Sequence, residues 1–418
     1  METRDKQPKA SMKKKIVVYS IMIFAIYVLM FLFFLFSGVL DNGTGLSEFG
    51  IDFADYYTAG HMAISGELDS VYSVPAHRAS MEQLLGVVVP FTLPWRYPPV
   101  FLLAIIPFSL LPFKISMVLW LGVTMVLAAV AIYRMLPEKR WLGALALGFP
   151  GVFMNFRWGQ NGFLSAAILA AGVGTLETNP VLGGAMLGLL VYKPQFAVFP
   201  FLILLLTKRW KALLSAIASA LAISLVSLAL FGVDQWIEFF RSLFVSSSNL
   251  MEVESASIAA IQVSVYNAMM VLTESPLVSI LAQGLCSVGA IIAVCWIFRK
   301  SDRFALKGAA LVLGIPLAIP YFMQYDLMIL AVPLVLLAYD YSKSGYRKNE
   351  LLFTTLVWFM PVISWPLMRN AGIQVCPLLL AFQIVMILQR VNRENMLPSI
   401  QQPEHQTNLP VDNAARPQ

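Results

Sequence analysis

The sequence predicts an all-α membrane protein that crosses the bilayer many times, and three observations indicate this. Apolar residues make up 59% of the 418 residues and charged residues 12%, against about 45–50% and about 25% in soluble domains. The mean hydropathy is +0.74. The apolar residues form continuous runs, which favours helices because the strands of a membrane barrel alternate apolar and polar residues. This pattern excludes a soluble enzyme, a disordered chain and a disulfide scaffold.

The formal net charge of +6 reflects membrane topology, and no nucleic-acid partner is predicted. Six basic residues precede the first apolar run, 16–40, and most others lie in short clusters between runs. Because cytoplasmic segments are enriched in Lys and Arg, we place the basic N-terminus, 1–15, in the cytoplasm. The loop 41–97 carries seven acidic and two basic residues and is then external. Within it, 75–89 is predicted to form a short helix on the membrane surface, with Pro75 near its start.

A single membrane domain, 16–390, is predicted, with about twelve helical spans. A polar stretch, 391–418, follows as a disordered cytoplasmic tail because it contains little apolar surface to bury. Several apolar runs are shorter than the roughly 20 residues that a helical span needs. Short, broken spans usually line a cavity that is enclosed by protein or filled with water.

Four basic clusters determine how the chain is threaded through the bilayer: 134–140, 208–211, 299–307 and 343–348. All four face the cytoplasm if 98–113 enters and leaves on the outer side. The run 180–207 must then be a hairpin of two short helices that turns at Lys193-Pro194. A full crossing by 98–113 would instead move several clusters outside, against the charge rule.

This threading rests on the basic clusters alone, yet it also brings unusual polar residues together on the outer face. Ionisable residues at membrane depth are unfavourable and usually indicate function. Three cations suit the binding of an anion, and three carboxylates suit general-base catalysis: Arg96, Arg157 and Lys193, and Asp52, Asp55 and Asp326. The predicted substrate-binding residues are Tyr57, Tyr97, Gln160, Asn161, Gln195, Gln324, Tyr325 and Asp326. No metal site and no cofactor are predicted.

Each of these residues also has a structural interpretation. The two loop carboxylates can be solvated surface residues, and Asp326 can cap a helix. Arg96 can extend to lipid headgroups, Arg157 can pair with a loop carboxylate, and Lys193 can anchor a helix end. The Trp and Tyr residues nearby can form an interfacial aromatic belt.

Several short motifs follow one another in a characteristic order: Asp52-Phe53-Ala54-Asp55-Tyr56-Tyr57-Thr58-Ala59-Gly60, Arg96-Tyr97-Pro98-Pro99, Gly159-Gln160-Asn161, Lys193-Pro194-Gln195 and Tyr325-Asp326-Leu327. With them, residues from about 45 to 340 resemble glycosyltransferase family 87. This is a family of polytopic GT-C enzymes that includes mannosyltransferases using polyprenyl-phosphate mannose, among them those that build phosphatidylinositol mannosides.

The resemblance implies a GT-C-like helical bundle with a large first external loop, in a bacterial plasma membrane. It implies a polyprenyl-phosphate sugar as donor, a lipid or glycan as acceptor, and an active site facing the periplasm or exterior. Mannose is the favoured sugar and arabinofuranose the next. Relatives often carry a His before the Tyr-Asp pair, where this chain reads Pro320-Tyr321-Phe322-Met323-Gln324. Acceptor specificity therefore does not transfer from the family.

In the family an acidic residue early in the external loop acts as base, and Asp52 occupies the matching position, with Asp55 as the second candidate. The expected reaction is a single displacement that inverts the anomeric carbon, assisted by cations at the leaving phosphate. Two rival classes remain open, a lipid-linked oligosaccharide polymerase or ligase and a secondary transporter. The external stretch 233–260 favours the first, whereas the second usually shows two similar halves, which this sequence lacks.

Overall fold

The fold is seen in a computed structural model that describes residues 10–37, 49–86, 88–89, 94–249 and 261–396. Within these ranges the chain is helical almost throughout and forms no β-strand, apart from an isolated bridge between Gln262 and Met323. The all-α prediction is therefore confirmed.

The α-helices of the described ranges are α1 (Ala10–Phe36), α2 (Ile51–Ile64), α3 (Val74–Leu85), α4 (Val100–Ser109), α5 (Phe113–Met135), α6 (Ala144–Gly148), α7 (Gly151–Trp158), α8 (Gly162–Thr175), α9 (Pro180–Gly188), α10 (Pro194–Leu206), α11 (Trp210–Asn249), α12 (Val265–Thr273), α13 (Pro276–Lys300), α14 (Phe304–Ala318), α15 (Ala331–Ser344), α16 (Lys348–Ala371) and α17 (Cys376–Met396). Short 3-10 helices span Leu68–Ser70, Arg140–Gly143, Leu189–Tyr192 and Gln324–Leu330. The helix expected at 75–89 is α3, which ends at Leu85, and its position on the membrane surface stays a prediction.

Six helical segments of the described chain are long and apolar enough to cross a membrane, judged by length and composition: Ser11–Phe36, Phe113–Met135, Trp210–Leu243, Pro276–Lys300, Gln324–Ser344 and Lys348–Ala371. Shorter apolar helices lie at Val100–Ser109, Gly162–Thr175, Pro180–Tyr192, Pro194–Leu206 and Phe304–Ala318. The chain is thus a polytopic membrane protein, and the total of about twelve spans stays a prediction.

The core lies around α14 and α15. Every residue of α14 from Ala305 to Leu317 is buried, which is expected of a helix that is apolar on all sides apart from Lys307 and is enclosed by other helices. The outer helices α1, α5, α11 and α13 instead expose large apolar side chains, such as Phe33 and Leu285. Exposed apolar side chains on long helices are suited to contact with lipid.

The basic clusters meet at one end of the bundle, which we call the basic end. Glu177 pairs with Arg209 at 2.8 Å and with Lys307 at 3.3 Å, and so joins the second and third clusters. Arg303 of the third cluster pairs with Asp340 at 3.0 Å, close to the fourth. The first cluster reaches the fourth because the Lys139 ammonium donates to the carbonyl of Ser342 at 2.5 Å.

The segment 98–113 begins and ends against the same helix, as the threading requires. Just before it, the Tyr97 hydroxyl lies 2.8 Å from that of Tyr56 in α2. At its end, the Phe113 ring lies 5.6 Å from Phe53 and 5.4 Å from Tyr57, both also in α2. Both ends of the segment therefore lie beside α2, and its entry and return on the outer side of the membrane stays a prediction.

The predicted start of the C-terminal tail is six residues too early, because α17 continues to Met396. Arg390 near its end is buried and pairs with Asp340 at 2.6 Å and with Glu350 at 3.0 Å. These buried ion pairs hold a polar sequence in a packed helix. Residues 397–418 of the predicted tail lie outside the described ranges, as do residues 1–9 at the other terminus.

Candidate active site

The start of α2 is held against the loop that follows α7. Gly50, directly before α2, has φ 75° and donates its N–H to the carbonyl of Arg157 at 2.7 Å. Gly159 has φ 70°, and a Cβ at this position would lie 2.5 Å from Cβ of Phe53. Only glycine combines a left-handed conformation with so close an approach. These contacts bring Asp52, in the first turn of α2, beside the Gly159-Gln160-Asn161 motif.

A network of hydrogen bonds joins α2 to this motif. The Tyr56 hydroxyl donates to Oε1 of Gln160 at 2.6 Å and lies 2.8 Å from the Tyr97 hydroxyl. The Asn161 amide donates to Tyr97 at 2.9 Å and to Tyr56 at 3.1 Å. Gln160 and Asn161 are buried, so these bonds fix their orientation.

A buried ion pair extends the network. The Lys193 ammonium donates to Oδ1 of Asp326 at 2.5 Å and to Oδ1 of Asn161 at 3.0 Å. Both charged side chains are only 4% exposed. The same ammonium lies 5.9 Å from the centre of the Tyr325 ring. Lys193 follows the Leu189–Tyr192 helix and precedes Pro194, which starts α10. The turn predicted at Lys193-Pro194 therefore places this cation inside the protein.

Asp52 lies beside the network with an unusual protonation equilibrium. Burial raises its pKa from 3.8 to about 7; Asp55 and Asp326 also raise it, while a hydrogen bond from Gln160 and the charge of Lys193 lower it. The carboxylate oxygen Oδ2 is buried and has no hydrogen-bond partner among the described residues. Part of the residue remains exposed, and the raised pKa means that the carboxyl group changes its protonation state near neutral pH.

Asp55, the second predicted base, has a different environment. Its Oδ1 lies 2.8 Å from Nε2 of His77, and both residues are buried. The His77 ring stacks on Trp95 with centroids 6.4 Å apart. Asp55 thus connects α2 to α3, and Asp52 is the more exposed of the two predicted bases.

The two predicted arginines lie at partly exposed positions, each against an aromatic ring. Arg96 lies 5.6 Å from the centre of the Tyr321 ring, and Arg157 lies 5.3 Å from that of Trp158. The Trp158 ring in turn lies 6.3 Å from Tyr325. Such stacking holds a guanidinium in place.

Three predicted substrate-binding residues lie apart from the network. The Tyr57 hydroxyl donates to the carbonyl of Leu111 at 3.0 Å, and the Gln324 amide donates to the carbonyl of Pro361 at 2.8 Å. These bonds hold the return of 98–113 and the Gln324–Leu330 helix in place. Gln195 is partly exposed, and its side chain makes no hydrogen bond within the described ranges. Substrate contact by these residues stays a prediction.

Sequence reasoning did not single out Tyr56 as a site residue, although it is the centre of the network. Tyr56 lies four residues after Asp52, and residues four apart share a face of a helix. This spacing could have indicated that Tyr56 belongs to the site. Tyr192, whose hydroxyl lies 2.6 Å from that of Ser165, gave no such signal. Among the described residues, no group of three or more His, Cys, Asp and Glu side chains is placed to hold a metal ion.

These features define a class of protein. Ionisable residues gathered at the end of a membrane bundle, including a carboxyl group that titrates near neutral pH, are typical of a membrane-embedded enzyme. The family model described as glycosyltransferase family 87 matches residues 95–320, which is more than half of the chain. The chain belongs to this family and is a glycosyltransferase. No curated protein and no solved structure matches it.

The matched range contains Tyr97, Gln160, Asn161 and Lys193, whereas Asp52 and Asp326 lie on either side of it. The hydrogen bonds and the ion pair described above join these two carboxylates to the matched part of the chain. The site is therefore assembled from within and from outside the family match.

Proposed function

We propose that this glycosyltransferase moves a sugar, with mannose as first choice, from a polyprenyl-phosphate donor to a hydroxyl group of a lipid or glycan. The observation that carries the proposal is the position of Asp52, which is partly exposed beside a buried polar network and titrates near neutral pH. A general base works best when its pKa lies near the working pH. The family membership supports sugar transfer as the reaction.

In the proposed reaction the acceptor hydroxyl gives its proton to the Asp52 carboxylate. The acceptor oxygen forms a bond to the anomeric carbon while the bond from that carbon to the phosphate oxygen breaks. Polyprenyl phosphate leaves as an anion. Because attack and departure occur on opposite faces of the carbon, the configuration inverts. The network that holds Gln160 limits the movement of the base.

The leaving phosphate needs positive charge. Lys193 is already paired with Asp326, so its charge is largely balanced and it acts mainly by orienting Asn161. Arg96 and Arg157 are partly exposed and held against aromatic rings. We assign them contact with the donor phosphate, where cations aimed at developing charge lower the barrier.

The proposed orientation follows from charge. The four basic clusters meet at the basic end of the bundle, and the N-terminal Lys13 lies there beside Lys139 and Arg140. Because basic segments stay in the cytoplasm, the candidate site, at the other end, faces the exterior or periplasm. Labelling with an impermeant reagent tests this, with one cysteine placed at Lys208 or at Val88 in a protein whose three native cysteines are replaced by serine. Only Val88→Cys should react in intact cells.

The function is tested by transfer from radiolabelled polyprenyl-phosphate sugars in membranes that contain the overexpressed protein. Replacing Asp52 by Asn should lower turnover by about 10²–10⁴-fold, the range for loss of a general base. Asp302→Asn is the matched control, because this carboxylate is exposed at the basic end. Full activity in Asp52→Asn would exclude Asp52 as base. Transfer from a nucleotide sugar, but from no polyprenyl-phosphate sugar, would refute the donor class.

A further inference from the structure

An open cavity of about 770 Å³ lies at the basic end, and none of the candidate active-site residues lines it. It is bounded by the start of α1, the end of α5 and the Arg140–Gly143 helix between them. The lining residues are Lys13, Tyr133, Pro137, Glu138, Lys139, Arg140 and Trp141. The cations of this region indicate the orientation of the chain in the membrane, and the proposed reaction does not involve them.

The cavity has an excess of positive charge. Its one carboxylate, Glu138, is paired with Lys343. Lys13, Lys139 and Arg140 make no ion pair with the described residues. Lys139 donates to a backbone carbonyl, as described above, so its charge is held in place without being neutralised.

Arg140 is positioned in a similar way. Its Nε donates to the carbonyl of Leu136 at 3.3 Å, and its guanidinium lies 4.9 Å from the centre of the Tyr133 ring. The residue is exposed, which leaves its other N–H groups able to bind an anion in two-point fashion. The turn is compact because Lys139 adopts φ 53°, a region that residues with a Cβ seldom occupy.

An apolar track leads away from the cavity along α5. The exposed side chains of this face are Val123, Val126, Leu127, Val130 and Tyr133, each at least 45% exposed. Their spacing of three and four residues forms one continuous stripe on a helix. The stripe runs along a candidate membrane span, so the space beside it is occupied by acyl chains.

We propose that this cavity binds the headgroup of an anionic phospholipid from the leaflet at the basic end. The phosphodiester contacts Lys13 and Arg140, and an acyl chain lies along the α5 stripe. A lipid fits better than a free phosphate because the cations and the apolar track adjoin each other. Basic pockets between membrane helices at the cytoplasmic side are suited to such headgroups.

The test is native mass spectrometry of the full-length protein in detergent, titrated with dioleoyl-phosphatidylglycerol or with dioleoyl-phosphatidylcholine. The anionic lipid should bind more tightly than the zwitterionic one. In Lys13→Gln/Arg140→Gln its affinity should fall about thirtyfold, which corresponds to about 1 kcal/mol for each basic side chain. Lys13→Gln alone should lower the affinity about fivefold.

Lys208→Gln/Lys211→Gln is the matched control, because both lysines are exposed at the same end but do not line the cavity. The affinity of this control variant for the anionic lipid should equal that of the wild type. The proposal would be overturned if the two lipids bound equally well. It would also be overturned if the control variant lost as much affinity for the anionic lipid as Lys13→Gln/Arg140→Gln. Complete displacement of the lipid by glycerol phosphate would identify a site for a soluble phosphate instead. The thermal unfolding midpoint of each variant checks that the proteins are folded.

Discussion

The activity of this transferase should rise about tenfold between pH 6 and pH 8. Asp52 must be ionised to accept a proton, and burial raises its pKa to about 7. A group with this pKa is about one-tenth ionised at pH 6, about half at pH 7 and about nine-tenths at pH 8. An ordinary aspartate, with a pKa of about 3.9, is fully ionised over this range and would give a flat profile.

Replacing Gln160 should shift the midpoint of the pH–activity profile in a known direction. The hydrogen bond from Gln160 lowers the pKa of Asp52, so Gln160→Met should move the midpoint of the profile to higher pH. A hydrogen bond to a charged group contributes about 1.5–3 kcal/mol, which corresponds to an upward shift of about one to two pH units. The control Asp302→Asn should keep the wild-type midpoint.

The assay measures initial rates of sugar transfer at low donor concentration, because kcat/KM reports the ionisation of the free enzyme. Rates are compared between pH 5.5 and pH 9 for the wild type and both variants. A flat wild-type profile would refute the assignment of the base. A midpoint that moves to lower pH in Gln160→Met would refute the role given to the Gln160 hydrogen bond.

Three further predictions concern stability, each measured by thermal unfolding in detergent. Because the pKa of Asp52 is raised in the folded state, its stabilising contribution is complete below about pH 4 and is lost as the pH rises through about 7. Asp52→Asn should therefore unfold at a higher temperature than the wild type at pH 8 but not at pH 4. An equal rise in the unfolding temperature at both pH values would contradict this. Lys193→Met should lower stability by about 3–5 kcal/mol, because Asp326 is left buried without its cation. Lys193→Met/Asp326→Leu should recover most of this loss, whereas an additive loss would show that the two charges are not coupled. Tyr57→Phe should lower stability by about 1 kcal/mol through its lost hydrogen bond and leave sugar transfer near the wild-type rate. A large loss of transfer would instead assign Tyr57 to the substrate.

Parts of the site can be predicted from the sequence because the membrane topology and the polar character of the residues point to the same positions. The basic clusters require the chain to turn at Lys193 and to return at 98–113, and those turns bring Tyr97, Gln160 and Asn161 to the same end. Asp326 is predicted there for the same reason. The polar character of these residues then indicates a site. The predicted helix bounds differ most from those of the structure where charge is buried, as at Arg390. The reason is that a polar stretch of sequence does not reveal whether its charged side chains pair with residues distant in the chain.

The sequence by itself determined the class of the fold, because a chain with this apolar content can satisfy its backbone only as helices in lipid. It also determined which end of the bundle carries the basic clusters and which carries the unusual polar residues. Only the tertiary structure decided the partner of each charge. Lys193 and Asp326 are separated by 133 residues, and Asp52 differs from Asp55 by its contact with Gln160 rather than His77. The physical reason is that burial and close contact, which set the pKa of a carboxyl group, depend on segments distant in sequence.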